Sequence, residues 1–218
     1  MDWKQAMEAR HSVRQYTDRP LEGETLEALL ACIDTCNAEG GLHLQLVQNE
    51  PKAFQTKNSH FSGVNHYIAV AGKKGGDFEE RCGYYGEKVV LTAQTLGLNT
   101  CWVALSYKRV PGVVQLRQGE RIEAVISVGY GATQGEAHKS KSVAQVSNAD
   151  AATPQWFLDG VEAALLAPTA VNQQKFFFAY QNGKVIARPG LGFYTRLDLG
   201  IAKLHFELGA EKDGSIWA

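Results

Sequence analysis

A chain of 218 residues, 44% of them hydrophobic, is long enough to bury one substantial core. Its 22 Lys and Arg against 23 Asp and Glu leave a net charge of −1, which argues against a nucleic-acid binder, since those carry a basic excess or stripe. The longest apolar runs fall far short of the ~20 residues of a membrane span, and no signal-peptide core follows Met1-Asp2-Trp3-Lys4-Gln5, so a soluble cytoplasmic protein is expected.

No Pro/Ser-rich linker divides the sequence, and a single domain over residues 1–218 is expected. A short helix over 2–9 opens the chain. Leu26, Leu29, Leu30, Ile33 and Cys36 recur at helical spacing behind Thr25, a candidate N-cap. Cys32 and Cys36 lie four apart on that pattern and, lacking CxxC spacing, read as packing residues. Leu42, Leu44 and Leu46 alternate with polar partners as in a strand, and Tyr67-Ile68-Ala69-Val70 is a second strand candidate. A long helix over 78–96 carries Tyr85, Val89, Ala93 and Leu96 and meets Gly97 as its C′ glycine. Strands over 100–103 and 124–128 follow. The helix over 154–166 has Thr153 as N-cap and Pro154 as N1. Phe176–Tyr180 and Lys184–Ala187 flank Gln181-Asn182-Gly183, and Asn-Gly favours a type I′ hairpin. Leu197, Ile201, Leu204 and Leu208 mark a last helix, ended by Gly209. The interleaving points to a layered α+β or α/β domain with antiparallel pairing at the hairpin.

Two segments concentrate polar chemistry. In Arg10-His11-Ser12-Val13-Arg14, two guanidiniums four apart with a hydroxyl between them suit a phosphate and an electron-rich ring edge. The arginines could equally cap the end of helix 2–9. In Ala167-Pro168-Thr169-Ala170-Val171-Asn172-Gln173-Gln174 the proline stops a helix, and Asn172 and Gln174, two apart on an extended chain, would face one side. Their carboxamides suit an alternating donor and acceptor edge, such as O2, N3–H and O4 of a flavin, or could merely satisfy loop backbone. Two further segments are weaker. Trp102-Val103-Ala104-Leu105 ends a strand where a backbone amide could face a ring, although Trp102 could be core. Lys139 and Lys141 could grip a phosphate or be solvated charge. Gly129-Tyr130-Gly131 lacks dinucleotide-binding spacing, the six histidines lack metal-ligand spacing, and no Ser-His-Asp or G-x-S-x-G signature is present.

Taken in order, these segments resemble the nitroreductase family. Arg10-His11-Ser12-Val13-Arg14-Gln15-Tyr16 is similar to its Arg-Arg-Ser-x-Arg-x-Phe/Tyr opening, and Leu96-Gly97-Leu98-Asn99-Thr100-Cys101-Trp102 to the passage after its central helix. Ile126-Ser127-Val128-Gly129-Tyr130-Gly131 with Lys139 and Lys141 is similar to its Ile-Gly-Tyr strand and basic pair. Ala167-Pro168-Thr169 with Asn172 and Gln174 resembles Ala-Pro-Ser-x-x-Asn-x-Gln. Family members usually carry that last element in the first third, where Cys36–Gln45 here lacks it, so the chain resembles a divergent branch with the element in its C-terminal half. Val103-Ala104-Leu105 stands where an acidic-glycine pair is usual.

The resemblance implies an α+β fold, a central, mostly antiparallel sheet flanked by helices, with FMN at a homodimer interface. It also implies a flavoenzyme that passes hydride from NAD(P)H through flavin N5 to a nitro, quinone or similar acceptor. The alternative is a flavin-sequestering protein with little turnover. Arg10, Lys139 and Lys141 would hold phosphate, and Ser12 and Arg14 phosphate or ring, with His11 also among the cofactor-binding residues. Asn172 and Gln174 would read the ring edge, Val103, Ala104 and Leu105 would pack on its face or offer backbone donors, and Trp102 would be a further cofactor-binding residue. FMN carries the chemistry in such a scheme, with no protein catalytic residue and no metal.

Overall fold

In a computed structural model describing residues 1–56 and 59–218, a four-stranded antiparallel sheet forms the centre, in the order β1-β2-β4-β3. Its strands are β1 (Gln45–Val47), β2 (Tyr67–Lys73), β3 (Asn99–Val103) and β4 (Glu120–Gly129). The helices are α1 (Trp3–Ala9), α2 (Gly23–Gly40), α3 (Phe78–Thr95), the one-turn α4 (Val143–Val146), α5 (Gln155–Ala164) and α6 (Thr195–Ala210). β5 (Phe176–Gln181) and β6 (Lys184–Pro189) form a separate hairpin.

Period-two alternation on β2 explains why the central sheet is covered on both faces. Ile68 and Val70 join a large core with Ile126, Val128 and the buried stripes of α2, α3, α5 and α6. Tyr67, Ala69 and Ala71 point the other way, into a second core with Val13, Phe54, Val64 and Val125. The segment after α1 runs along the edge of β3: Ser12 bridges Thr100 in parallel, and Val13 N–H donates to the Thr100 carbonyl at 3.0 Å. Tyr16 fastens the segment, its hydroxyl donating to the Val13 carbonyl at 2.8 Å and pairing with Ser127 Oγ at 2.8 Å. Burial pushes the Tyr16 phenol far up, so it is neutral.

One order of elements occurs twice. Helix, strand, antiparallel strand, helix describes α2-β1-β2-α3 and again α5-β5-β6-α6, and the closing helices α3 and α6 pack against each other. The C-terminal Ala-Pro-Thr element thus follows a second helix in the place that α2 holds in the first set.

Most local expectations stand, with four corrections. α2 begins at Gly23 behind Glu22 rather than behind Thr25. α5 begins at Gln155 with Pro154 as cap residue, because the Thr153 hydroxyl is bonded to Asp150, donating to its carboxylate at 3.0 Å. The strand at Leu42–Leu46 is confined to Gln45–Val47, although Leu42 and Leu44 are buried. α6 passes through Gly209 to Ala210; a Cβ on Gly209 would lie 2.7 Å from the Asp159 carbonyl oxygen, so this glycine lets α5 approach rather than ending the helix. The Asn182-Gly183 turn has positive φ at both residues, 53° and 77°, as a type I′ turn requires. Cys36 is buried, while Cys32 is partly exposed with its Sγ 3.3 Å from Thr92 Oγ1.

Candidate functional site

A cavity of about 760 Å³ opens between the end of β3 and the N-terminal turns of α6, well inside the ~300–1,000 Å³ range of small-molecule clefts. Its cationic wall comes from the segment after α1. That segment is extended, so Arg10, Ser12 and Arg14, at i, i+2 and i+4, all line the cavity while Val13 enters the core. Arg10 is 4% exposed, and its Nε is buried with no hydrogen-bond partner among the described residues. Its guanidinium does not cap α1; it points instead toward Glu87, 3.9 Å away. Burial lowers the Arg10 pKa and the Glu87 charge opposes that shift. A largely buried guanidinium at the cavity wall suits an anionic or acceptor-rich ligand, because burial removes the water that would otherwise solvate its charge.

The apolar wall follows from the end of β3. Pairing with β4 stops at Val103, so the backbone of Ala104 and Leu105 is released from the ladder beside the cavity. Trp102 also lines it. Its ring is partly buried, packed on the large core, and its Nε1–H donates to Glu87 Oε2 at 2.8 Å. Trp102 is therefore both a core and a cavity residue.

The Ala-Pro-Thr segment forms the opposite wall, in a conformation the spacing did not indicate. Residues Ala170–Asn172 make a 3₁₀ turn, and Val171, Asn172 and Gln174 adopt positive φ of 47°, 53° and 43°. The chain is consequently not extended, and Asn172 and Gln174 do not share a side. Asn172 lines the cavity, exposed, with its Nδ2 donating to the Lys139 carbonyl at 2.8 Å. Gln174 is 1% exposed and turned inward. Its Oε1 accepts the Lys141 N–H at 2.7 Å, and its Nε2 donates to the Leu165 carbonyl at 3.0 Å.

Lys139 and Lys141 do not line the cavity. Lys141 Nζ donates to the Gln174 carbonyl at 2.8 Å, and His138 and Ser140 reach the Leu165 carbonyl, each at 3.0 Å. His138 and Ser140 thereby cover the Leu165 carbonyl left open at the end of α5, while Lys141 ties down the turn before β5. His11 also lies off the cavity; burial, then the charges of Arg10 and His138, lower its pKa, so it is neutral at pH 7. Arg10, Ser12, Arg14, Trp102, Val103, Ala104, Leu105 and Asn172 are brought together, whereas His11, Lys139, Lys141 and Gln174 stand behind or beside them.

Three residues not singled out in the sequence hold the site together. Asp198 of α6, 1% exposed, accepts the Ala170 N–H at 3.0 Å and the Gln173 Nε2–H at 2.8 Å, fixing the 3₁₀ turn to the helix. Burial raises its pKa to about 6, against the pull of those two bonds. Glu87 and His205 are both fully buried and face one another at 3.0 Å. A carboxylate within the buried face formed by Cys82, Gly83, Gly86, Val90 and Ala93 was a readable signal of an internal partner.

This fold and cleft define a nitroreductase-like protein. The family model described as "Putative TM nitroreductase" matches residues 2–210, and the chain belongs to that family. It is similar to the solved structure of a "putative nitroreductase" from Thermotoga maritima, at 27% identity, covering 96% of this chain and 83% of that one, with a TM-score of 0.66. A "putative nitroreductase in complex with FMN" from Desulfovibrio desulfuricans is 19% identical, covering 66% of this chain and 94% of that one, TM-score 0.53. NfrA1 nitroreductase from B. subtilis is 12% identical, covering 70% of this chain and 74% of that one, TM-score 0.54. At such identities these two show the fold. No curated protein matches the chain. Among the described residues, no helix is long and apolar enough to cross a membrane.

Proposed function

We propose that the chain is an FMN-dependent oxidoreductase that takes hydride from NAD(P)H and passes it to a nitro, quinone or similar small electrophile. The observation that carries this reading is the buried Arg10 guanidinium lining, with Ser12 and Arg14, a cavity whose wall at the end of β3 is apolar. FMN would supply a ring that accepts and releases hydride. Its phosphate and the electron-rich edge of its ring are the groups that Arg10, Ser12 and Arg14 would hold.

Each remaining role falls to a residue already described. Val103, Ala104 and Leu105 would pack on the ring face, with the freed amides of Ala104 and Leu105 as donors. Asn172 would contact the ring edge, held by the Lys139 carbonyl. Lys141 and Gln174 would shape the turn that carries Asn172 rather than touch the ligand. Exposed Leu105 and Phe193 at the cavity, 79% and 51% exposed, suit a flat apolar acceptor stacked over the ring.

The homodimer implied by the family resemblance belongs to this proposal; sedimentation of the FMN-loaded protein at micromolar concentration tests it, and a monomer counts against it. Steady-state NAD(P)H oxidation with menadione or a nitroaromatic tests the enzymatic reading. Rapid turnover is expected. Tight FMN binding without turnover would favour a flavin-sequestering role instead.

A further inference from the structure

Behind the cationic wall, Arg10, Glu87 and His205, all buried, meet the partly buried Trp102. Glu87 of α3 accepts the Trp102 indole N–H at one oxygen, 2.8 Å away, and presents the other to His205 Nε2 of α6 at 3.0 Å. Arg10 Nε lies 3.9 Å from that second oxygen. The other ring nitrogen of His205, Nδ1, is 3.2 Å from the Ala163 carbonyl of α5.

Both nitrogens of His205 therefore face oxygen acceptors. An imidazole with a single N–H would set one bare nitrogen against a carbonyl or a carboxylate, lone pair to lone pair. Two arrangements remove the conflict. Either His205 is an imidazolium beside ionised Glu87, or Glu87 carries the proton and donates it to Nε2. Each holds the same additional proton, and each leaves the His205–Glu87 pair neutral overall. Without that proton, Glu87 would be the counter-charge of Arg10, and the cluster would carry no net charge. With it, the cluster carries +1, directed into the cavity through Arg10.

We propose that His205 is a positioning residue: by keeping one proton on the His205–Glu87 pair, it leaves the Arg10 charge uncancelled for an anionic group bound in the cavity. The ligand side of this inference rests on the flavin reading above. The proton itself does not.

Charge counting separates this role from simple packing. In His205→Gln no imidazole remains to hold or share the proton, so Glu87 is ionised as the counter-charge of Arg10 and the cluster falls to zero. In Glu87→Gln the carboxamide accepts from Trp102 and donates to a neutral His205, so the cluster stays at +1. The double variant is also +1. Fluorescence titration with FMN should show affinity about tenfold weaker in His205→Gln, since a unit charge at about 10 Å in a partly screened interior acts on that scale. Glu87→Gln and the double variant should bind within about threefold of the parent, so the second substitution rescues the first. Riboflavin, which lacks phosphate, should lose the effect if the phosphate is the anion that Arg10 meets. If riboflavin keeps the effect, Arg10 meets the electron-rich but uncharged ring edge, and the assignment of an anionic partner is overturned.

Independently of any flavin, NMR of the ligand-free protein with ¹⁵N-labelled histidine and ¹³C-labelled glutamate should find either both His205 nitrogens protonated or Glu87 protonated at pH 7. An ionised Glu87 beside a singly protonated His205 would overturn the proposal even if FMN binds. Equal weakening in all three variants would overturn it as well, because that is the signature of a packing role. If the parent binds no flavin, the flavin reading fails, and the NMR result alone decides whether the pair holds its proton.

Discussion

Substituting Gly200 with alanine places helix propensity and packing in direct opposition. Gly200 sits mid-helix in α6, where alanine is intrinsically better than glycine by about 1 kcal/mol. A Cβ there would fall on the Glu80 carbonyl oxygen of α3 and lie 2.8 Å from the Tyr84 backbone nitrogen. Gly83 makes the reciprocal approach, its added Cβ landing on the Leu197 carbonyl. Ordinary carbon contacts begin near 3.5 Å, so α3 and α6 would have to part by roughly 1 Å or more. Backbone atoms cannot swing aside as a side chain can, and overpacking of this kind costs about 1–3 kcal/mol or more. A backbone overlap this deep falls at the upper end of that range, so Gly200→Ala should unfold at lower urea, with net loss of about 2 kcal/mol after the propensity gain. The parting should also stretch the Glu87–His205 contact and weaken FMN binding. Equilibrium urea unfolding checks the first effect, and stability equal to or above the parent would refute the packing argument.

Arg14 lines the cavity and is exposed, and a charge-assisted contact to the reduced ring is worth roughly 1–3 kcal/mol. Arg14→Ala should lower the FMN midpoint potential by roughly 20–60 mV, and weaker binding at unchanged potential would make Arg14 a phosphate or structural residue. Lys141→Met removes the ammonium from the Gln174 carbonyl, so it should cost about 1 kcal/mol of stability in urea unfolding; unchanged stability with weaker FMN binding would return Lys141 to the phosphate. Asp198 has its pKa raised to about 6 by burial, so the folded state binds the proton more tightly than the unfolded chain. The stability linked to this carboxyl is then complete below the ordinary carboxylate range near 4 and is lost as pH rises through about 6. A ¹³C NMR titration should place its midpoint near 6, and a midpoint below 4 would contradict that burial dominates.

The sequence was most legible where the cause is local. Apolar stripes marked all four long helices, and Asn182-Gly183 marked the hairpin, because these signals act within a few residues. The i, i+2, i+4 set Arg10, Ser12 and Arg14 was also legible, since any extended segment puts such residues on one side. Legibility failed where the determinant is distant in sequence. Gly209 reads as a helix stop, yet its reason for being glycine is α5, more than forty residues earlier. Gln174 reads as a ligand contact, yet its amide is occupied by Lys141, 33 residues away. Glu87 and His205 are 118 residues apart, and only the fold shows that each buried polar group is the other's partner. The relocated Ala-Pro-Thr element becomes intelligible once the repeated helix-strand-strand-helix order places a second helix end beside the first segment's arginines.

Whether this cavity holds FMN is decided by titrating the folded, flavin-free protein with FMN and following the quenching of flavin fluorescence. Saturable binding is expected at micromolar or lower concentration, abolished or much weakened in Arg10→Ala while circular dichroism shows the fold retained. A folded parent protein that leaves flavin fluorescence unchanged, or an Arg10→Ala variant that binds as well as the parent, would contradict it.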